Sequence, residues 1–247
     1  MTRFALVQLE EYEERERALE HAIGQIEKAI NMEAEFICLP EKWYKREITS
    51  TELSIFIEFS KNICIIPGSF IENIEGEYYI SSPVICNGEI IGKQLKIHPF
   101  ISEKGYVKSG NKLAVFEYNN IKFGIVICHD IVFPEISRRL ALKGVDVIFS
   151  PSKIYDNGIY PWHIYLQARA LENRLAIVAP NICNDGFGGR SMIVRLSYNE
   201  RLDIAETDIV QASTNAEQIL VSDINLESLR RIRSIRMNEL RNDYSLM

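Results

Sequence analysis

The sequence of 247 residues has the composition of an ordinary globular protein, with 47% hydrophobic and 25% charged residues and a formal net charge of −6. This composition excludes a disordered chain, a collagen and a disulfide-rich scaffold. The acidic balance argues against nucleic acids and anionic membranes as partners. No hydrophobic run approaches the roughly 18 residues that span a bilayer, so we expect no membrane segment.

Strand-like and helix-like patterns alternate through the first third of the chain. Short hydrophobic runs indicate strands, whereas residues 11–32 place their hydrophobic side chains at helical spacing with charges elsewhere. The predicted elements are a strand at 4–9, a helix within 11–32, a strand at 36–39, a helix at 51–60 and a strand at 64–66. This alternation favours a sheet that is covered by helices.

The middle of the chain contains two predicted hairpins. Asn87-Gly88 separates strand-like segments at 78–86 and 89–97, as a two-residue hairpin turn does. Asn119-Asn120 separates segments at 114–118 and 121–127 in the same way. Antiparallel pairs inside an alternating chain predict mixed sheets.

The alternation resumes after residue 128 and continues to the end of the chain. Pro134 suits the first turn of a helix that Gly144 ends. The later predicted elements are helices at 134–143, 162–175 and 226–240, and strands at 145–150, 176–181, 192–196 and 219–224. Since no internal repeat, low-complexity tract or long linker interrupts the sequence, we predict a single domain over residues 1–247.

The chain contains five cysteines: Cys38, Cys64, Cys86, Cys128 and Cys183. Their number is odd and none form a Cys-x-x-Cys pair, which indicates free thiols in a reducing compartment. The N-terminal segment becomes charged at Glu10, so it lacks the hydrophobic core of a signal peptide. We therefore predict a cytoplasmic protein.

Phosphate and metal sites have little support. Gly105 and Gly110 have P-loop spacing, but Asn111-Lys112 follows where Lys and then Ser or Thr are required. The glycine-rich run 186–189 lacks the last glycine of a dinucleotide fingerprint. The four histidines have no metal-ligand spacing, so we predict no cofactor and no metal.

Cys128 follows a hydrophobic strand and precedes a turn and a helix that Pro134 opens. A thiol there projects at the carboxyl end of a strand, where open α/β sheets place their ligands. The turn also offers backbone N–H groups to an oxyanion. From this segment alone, Cys128 is either a nucleophile or a small buried hydrophobic residue.

Glu41 and Lys96 leave similar alternatives open. Glu41 follows a buried strand that ends at Pro40, and it is either a site carboxylate or an exposed loop acid. Lys96 lies between Leu95 and Ile97, and its ammonium group either extends to solvent or points into a site.

Taken together, these segments resemble the carbon–nitrogen hydrolases of the nitrilase superfamily. Leu39-Pro40-Glu41 is similar to the family motif of the general base, and the segment 92–98 carries Lys96 in the position of the family's lysine. Glu103 matches a second glutamate, and the segment 128–135 is similar to the nucleophile motif. Further matches are Pro151-Ser152, Trp162-His163, Arg169, Glu172, Asn173, Asn181, Gly189 and Ser191.

The resemblance implies an α/β fold: a four-layer αββα sandwich with two mixed β-sheets covered by helices, assembled as a homodimer or higher homo-oligomer. It implies hydrolysis of a small-molecule amide, either a carboxamide or an N-carbamoyl compound, through a cysteine thioester. Cys128 is the expected nucleophile, Glu41 the base and Lys96 the electrostatic partner, with Glu103 in support. Lys96 and the backbone N–H of His129 are expected to bind the oxyanion.

Three features depart from the family pattern. His129-Asp130 stands where nitrile-cleaving members usually have Trp and Glu, which favours amides over nitriles. Pro99 follows His98 where Leu is usual, which predicts a different shape for the next loop. The segment 195–206 lacks the usual Asp-Pro and Gly, which weakens the prediction of a hairpin there.

Other functions remain open at this level. An acyltransferase would pass the same thioester to an amine acceptor, and a nitrile hydrolase would use the same nucleophile on another substrate. A non-catalytic binding protein on the same fold is disfavoured, because Glu41, Lys96 and Cys128 are all present. The specific substrate depends on loop shape and is not predicted.

Overall fold

Two β-sheets pack face to face in the computed structural model of the chain, which describes residues 1–45, 47–184, 186–213 and 215–241. The strands are, in chain order, β1 (Thr2–Glu10), β2 (Phe36–Cys38), β3 (Cys64–Ile66), β4 (Phe70–Ile74), β5 (Glu77–Cys86), β6 (Glu89–Leu95), β7 (Phe116–Tyr118), β8 (Ile121–Ile125), β9 (Val147–Phe149), β10 (Ala176–Ala179), β11 (Ile182–Asn184), β12 (Phe187–Gly188), β13 (Met192–Asn199), β14 (Ile204–Gln211) and β15 (Gln218–Ile224). The α-helices are α1 (Arg15–Asn31), α2 (Ser50–Phe59), α3 (Pro134–Leu142), α4 (Ile159–Asn173) and α5 (Leu226–Asn238). None of the helices in this part of the chain has the length and hydrophobicity required to cross a lipid bilayer.

Within the described residues, the first sheet has nine strands and is mixed. Its order is β12-β11-β1-β2-β3-β5-β4, with β15 also paired to β1 and β6 also paired to β5. The neighbours β1, β2 and β3 are parallel, so their connections must cross over the sheet, and α1 and α2 form these crossovers. In contrast, β5 runs antiparallel to β3, β4 and β6.

The second sheet has six strands in the order β14-β13-β10-β9-β8-β7. Its centre is parallel, because α3 connects β8 to β9 and α4 connects β9 to β10. Its two edges are antiparallel pairs, β7 with β8 and β13 with β14. Both sheets are therefore mixed, as predicted.

Three hydrophobic cores separate four layers. In the central core, the ring of Phe36 on β2 lies 5.7 Å from that of Phe123 on β8 and 5.9 Å from that of Phe149 on β9. The outer face of the first sheet packs against α1 and α2, and the outer face of the second packs against α3 and α4. The predicted αββα sandwich is confirmed.

The turn of the β13–β14 hairpin corrects the expectation for the segment 195–206. The two strands pair along their whole length. In the turn, the Asn199 side-chain oxygen accepts hydrogen bonds from the backbone N–H groups of Arg201 and Leu202, and Asp203 adopts a φ of 55°. Asn and Asp tolerate such turn conformations, so they replace the glycine that a hairpin usually requires.

A disulfide corrects the prediction of five free thiols. The pairing of β3 with β5 places Cys64 directly opposite Cys86, with their Cα atoms 4.2 Å apart, and the two sulfurs are bonded. Cys38, Cys128 and Cys183 are free and buried. The spacing of cysteines along the chain could not indicate this pair, because it depends on strand register.

Candidate active site

A cavity of about 440 Å³ opens where strands of both sheets end. Glu41, Lys96, Glu103 and Cys128 all line it. Glu41 and Lys96 follow β2 and β6 of the first sheet, whereas Cys128 follows β8 of the second. The structure therefore brings together the four side chains that the sequence singled out.

The backbone of Glu41 is attached to both sheets. Glu41 forms a parallel β-bridge with Ser69, which lies between β3 and β4 of the first sheet. Its N–H donates at 3.2 Å to the carbonyl of Ser152, which follows β9 of the second sheet. Its side chain is almost completely buried. The carboxylate is therefore held at a fixed position in the cavity rather than exposed in a loop.

Lys96 places its ammonium group between two carboxylates. Its Nζ lies 2.8 Å from Glu41 Oε1 and 2.9 Å from Glu103 Oε2, and the residue is 1% exposed. Burial would lower the pKa of Lys96, but the charges of Glu41, Cys128 and Glu103 outweigh it and hold the pKa above its usual value. The ammonium therefore stays charged at neutral pH.

Glu103 reaches the cavity from the loop after Lys96. Its Oε2 also accepts a hydrogen bond from the backbone N–H of Phe100 at 2.7 Å, and its Oε1 forms an ion pair with Lys42. Burial opposes ionisation, yet the charges of Lys96 and Lys42 lower the pKa of Glu103. Glu103 is thus an ionised carboxylate that holds Lys96 from the side opposite Glu41.

Cys128 is the first residue of a 3-10 segment, Cys128–Val132, and adopts a φ of 47°. Few non-glycine residues adopt this left-handed conformation. The Cys128 N–H donates to the carbonyl of Pro151 at 2.9 Å, and the Cys128 side chain lines the cavity together with Glu41 and Lys96. Burial and the charge of Glu41 raise the pKa of Cys128 despite the opposing charge of Lys96. The resting group is therefore a thiol, next to a carboxylate that can accept its proton.

His129 follows Cys128 and lines the cavity. Its ring lies between those of Phe100 and Phe133, with centroids 5.2 and 5.5 Å away. Burial and the charge of Lys96 lower the pKa of His129, so its ring is neutral at neutral pH. The role of its backbone N–H in binding an oxyanion stays a prediction.

Asp130 is a buried carboxylate that the sequence analysis did not select. It accepts hydrogen bonds from the backbone N–H groups of Ile97 at 3.1 Å and His98 at 2.7 Å. These bonds join the nucleophile segment to the residues that directly follow Lys96. The only sign of this role in the sequence is an acidic residue two positions after Cys128, and that position does not reveal the hydrogen bonds to Ile97 and His98.

One further side chain, Arg169, supports the segment after Cys128. Arg169 on α4 donates to the carbonyls of Ile131 at 3.2 Å and Val132 at 2.8 Å, and it pairs with Glu172 at 3.2 Å. Arg169 therefore forms an ion pair within α4 and also fixes the segment after Cys128. The motif matches in the sequence could not show that Arg169 contacts the carbonyls of Ile131 and Val132 as well as Glu172.

The aromatic residues near these segments divide between the cavity and the core. Trp162 lines the cavity, whereas Trp43 and Tyr44 pack in the core between the first sheet and its helices. Phe133 stacks on His98, with ring centroids 3.7 Å apart. The cavity also receives two lysines that the sequence analysis missed, Lys42 and Lys153. Lys153 pairs with Glu11 at 2.5 Å.

Comparison with known proteins identifies the family of this chain. The profile of the carbon–nitrogen hydrolases matches residues 3–234. The chain is 30% identical over 198 residues to a probable hydrolase, YhcX, of Bacillus subtilis, and 31% identical over 167 residues to a nitrilase of Pyrococcus abyssi. These alignments cover 76% and 67% of this chain but 39% and 61% of the two relatives, so the chain spans less than two thirds of either.

Longer alignments exist with an enzyme and a solved structure of similar size. The mouse omega-amidase NIT2 is 25% identical over 255 residues, which cover 94% of this chain and 91% of that protein. The crystal structure of Saccharomyces cerevisiae Nit3, a member of branch 10 of the nitrilase superfamily, has a TM-score of 0.85 at 22% identity and covers 98% of this chain and 97% of that one. The fold is therefore that of the nitrilase superfamily, and the chain belongs to the carbon–nitrogen hydrolase family.

Proposed function

We propose that the protein hydrolyses the C–N bond of a small carboxamide or N-carbamoyl compound through a thioester on Cys128. The observation that carries this proposal is that Cys128, Glu41 and Lys96 line one cavity, in which the Glu41 carboxylate is paired at 2.8 Å with the Lys96 ammonium group. A nucleophile, a base and a fixed positive charge thus meet in one cavity.

The first half of the reaction forms the thioester. Glu41 takes the thiol proton as the sulfur attacks the carbonyl carbon of the substrate. The negative charge that develops on the carbonyl oxygen is stabilised by Lys96 and by the backbone N–H of His129. Protonated Glu41 then gives its proton to the departing ammonia or amine, and the acyl group remains on Cys128.

The second half releases the acid. Glu41, again a carboxylate, removes a proton from water, and the resulting hydroxide attacks the thioester carbon. The tetrahedral oxyanion is stabilised by the same donors. When it collapses, the C–S bond breaks, the acid leaves and the Cys128 sulfur regains the proton from Glu41.

The test combines product analysis with detection of the intermediate. Carboxamides, N-carbamoyl amino acids and their matching nitriles are each incubated with the protein, and ammonia release is measured. Mass spectrometry of the quenched reaction should find the acyl group on the Cys128 peptide. Absence of both ammonia and adduct with every compound would contradict the proposal. Added hydroxylamine reports acyl transfer, because it converts the thioester to a hydroxamate.

We further propose that amides are preferred over nitriles. This is supported by His129-Asp130 next to the nucleophile and by the near full-length similarity to an enzyme named omega-amidase. The relative named nitrilase favours the alternative. Each amide should release ammonia at least tenfold faster than its matching nitrile, which corresponds to about 1.4 kcal/mol. Faster turnover of a nitrile would reverse the assignment.

The proposed location is the cytoplasm, because a reducing compartment preserves the free thiol of Cys128 that the mechanism needs. The Cys64–Cys86 disulfide is compatible with this location, since burial limits its access to cellular thiols. We also propose a homodimer or higher homo-oligomer. This is supported by exposed hydrophobic side chains on the outer helix α4.

A further inference from the structure

A second ammonium group lies in the catalytic cavity, directly after the proposed base. Lys42 follows Glu41 in the chain, and both line the cavity. The Lys42 Nζ forms an ion pair with Glu103 Oε1, while the other oxygen of Glu103 lies 2.9 Å from Lys96 Nζ. The side chain of Lys42 is 19% exposed. Lys42 and Lys96 thus share one carboxylate.

The backbone explains how consecutive residues reach the same cavity. In an extended strand, the side chains of Glu41 and Lys42 would point to opposite faces. Lys42 instead adopts a φ of 50°, and its N–H donates to the carbonyl of Ser69 at 2.8 Å. This left-handed conformation is costly for a residue with a side chain, and such conformations cluster at functional sites.

The four charged groups alternate in sign along a chain of contacts: Glu41, Lys96, Glu103 and Lys42. Without Lys42, two carboxylates would surround one ammonium, and the cluster would carry one net negative charge. With Lys42 the four charges sum to zero. The other cavity lysine, Lys153, does not change this balance because it is paired with Glu11.

The balance matters because the proposed reaction adds negative charge beside this cluster. Both a thiolate on Cys128 and a tetrahedral oxyanion would be repelled by a cluster of net charge −1. We propose that Lys42 is an electrostatic positioning residue, which neutralises Glu103 so that Lys96 keeps a positive potential for the thiolate and the oxyanion. This inference rests on the proposed thioester mechanism. It adds a group that acts through Glu103 and does not touch the reacting atoms.

Burial and charge at Lys42 agree with this role. Burial would lower the pKa of Lys42, but the charges of Glu41 and Glu103 outweigh it and raise the pKa above its usual value. Lys42 therefore stays charged over the pH range of the assay. The acidic and basic side chains that line the cavity around Cys128 are Glu41, Lys42, Lys96, Glu103, His129 and Lys153.

The test measures the reactivity of Cys128 without any substrate. Alkylation by iodoacetamide is followed between pH 6 and 10, with the modified peptide identified by mass spectrometry, in the parent and in Lys42→Met, Lys42→Arg, Glu103→Gln and Lys42→Met/Glu103→Gln proteins. Lys42→Met should alkylate on the order of tenfold more slowly at pH 7, because a net charge of −1 disfavours the thiolate. Lys42→Arg keeps the charge and should restore the parent rate.

The double variant separates charge balance from structure. Removing both Lys42 and the Glu103 charge returns the cluster to neutrality, so alkylation should recover to within about threefold of the parent rate. Glu103→Gln alone should alkylate no more slowly than the parent. A Lys42→Met protein that alkylates at the parent rate, or a double variant no faster than Lys42→Met, would overturn the inference.

A matched control excludes a general effect of losing a lysine–glutamate pair. Lys93 on β6 pairs with Glu72 at 2.5 Å outside the cavity, and Lys93→Met should alkylate at the parent rate. Steady-state kinetics on an accepted amide should show a loss in kcat with little change in KM for Lys42→Met. Because alkylation requires no substrate, lack of turnover with every amide would overturn the proposed function without deciding the role of Lys42.

Discussion

The proposed nucleophile, Cys128, is positioned by its own backbone. The left-handed φ of Cys128 and the hydrogen bond of its N–H to Pro151 fix the residue just after β8, where its side chain lines the cavity together with Glu41. Such a conformation costs on the order of 1 kcal/mol or more, and it persists because the surrounding bonds determine it. The other free cysteines, Cys38 and Cys183, do not line this cavity.

Replacement of Cys128 by Ala should abolish amide turnover and leave the fold intact. The change removes one sulfur atom and keeps the hydrogen bond of the residue's own N–H to Pro151. Ammonia release measures activity, and circular dichroism with a thermal melt checks folding. Cys183→Ala serves as the control and should keep the parent kcat. Substantial hydrolysis by a folded Cys128→Ala protein would rule out the thioester mechanism.

Lys96→Met should lose on the order of 10²–10³ in kcat, the usual cost of removing one donor to an oxyanion. Methionine is similar in length but neutral, so Glu41 and Glu103 would face each other without the ammonium. Lys96→Arg should fail as well, because a planar guanidinium cannot replace a compact ammonium in a packed site. Steady-state kinetics measure the loss, with Lys93→Met on β6 as the control. A near-normal kcat in a folded Lys96→Met protein would show that other hydrogen-bond donors stabilise the oxyanion.

The sequence could predict the chemistry of the site but only part of its electrostatics. Glu41, Lys96, Glu103 and Cys128 stand in recognisable motifs, so their meeting in one cavity follows from the family resemblance. Glu41 and Glu103 share the ammonium group of Lys96. This arrangement depends on how the loop after Lys96 folds back, which the sequence motifs do not reveal. Lys42 could not be found by strand periodicity, because its positive φ breaks the alternation.

At the level of elements, periodicity and turn chemistry predicted most of the sandwich. The strand β3 and the hairpins at Asn87-Gly88 and Asn119-Asn120 lie where the sequence placed them. All four turn residues have positive φ angles, as two-residue hairpins require. The strand β4 was missed because it lies at a sheet edge and is only partly buried, so no continuous hydrophobic run marks it. Helix α1, Arg15–Asn31, lies within the predicted range 11–32.

Helix α5 is attached to the rest of the molecule by a buried carboxylate. Asp146, just before β9, accepts hydrogen bonds from Arg230 at 2.6 Å and Arg233 at 2.7 Å. Leu229 and Ile232 of the same helix join the core between the sheets. The sequence predicted this helix but not its partner, because Asp146 is more than 80 residues away.

Asp146→Asn should lower the free energy of unfolding by about 3 kcal/mol, because it leaves the buried guanidinium group of Arg233 without its counter-charge. Burial opposes ionisation, yet the hydrogen bonds from Arg230 and Arg233 lower the pKa of Asp146 below its usual value. A carboxyl group whose folded pKa is depressed stabilises the fold above its unfolded pKa of about 3.9, and this contribution is lost as the pH falls further.

Urea unfolding at pH 7 and at pH 3 measures both effects. The difference in the free energy of unfolding between the parent and the Asp146→Asn protein should be largest at pH 7 and smaller at pH 3. The control is Glu200→Gln, which removes an exposed ion pair with Arg231 of the same helix and should leave stability nearly unchanged. A pH-independent difference would mean that the carboxylate charge does not stabilise α5.

At the scale of the whole molecule, the active-site cavity depends on how the two sheets are joined. The Glu41 N–H donates to Ser152, and Asp130 accepts from the N–H groups after Lys96; both contacts connect one sheet to the other. Cys128, Glu41 and Lys96, the proposed nucleophile, base and electrostatic partner, are thus fixed relative to one another by hydrogen bonds to backbone groups across the two sheets. Sequence patterns describe each sheet separately, so they could not reveal these bonds.

The outer face of α4 provides the test of the proposed homo-oligomer. Tyr160 and Ile164 lie four residues apart on this helix, on one face, and are 78% and 47% exposed. Large hydrophobic side chains at such exposure are costly in water and are buried when a second copy covers them. Size-exclusion chromatography with light scattering should give the parent a mass of two or more chains, and Tyr160→Glu/Ile164→Glu should shift it towards one. Ile90→Glu on β6 of the other layer, where the parent side chain is 46% exposed, is the control and should leave the mass unchanged. A parent protein that elutes as one chain at all concentrations would contradict the prediction. An unchanged mass in the double variant would show that the interface does not include this face of α4.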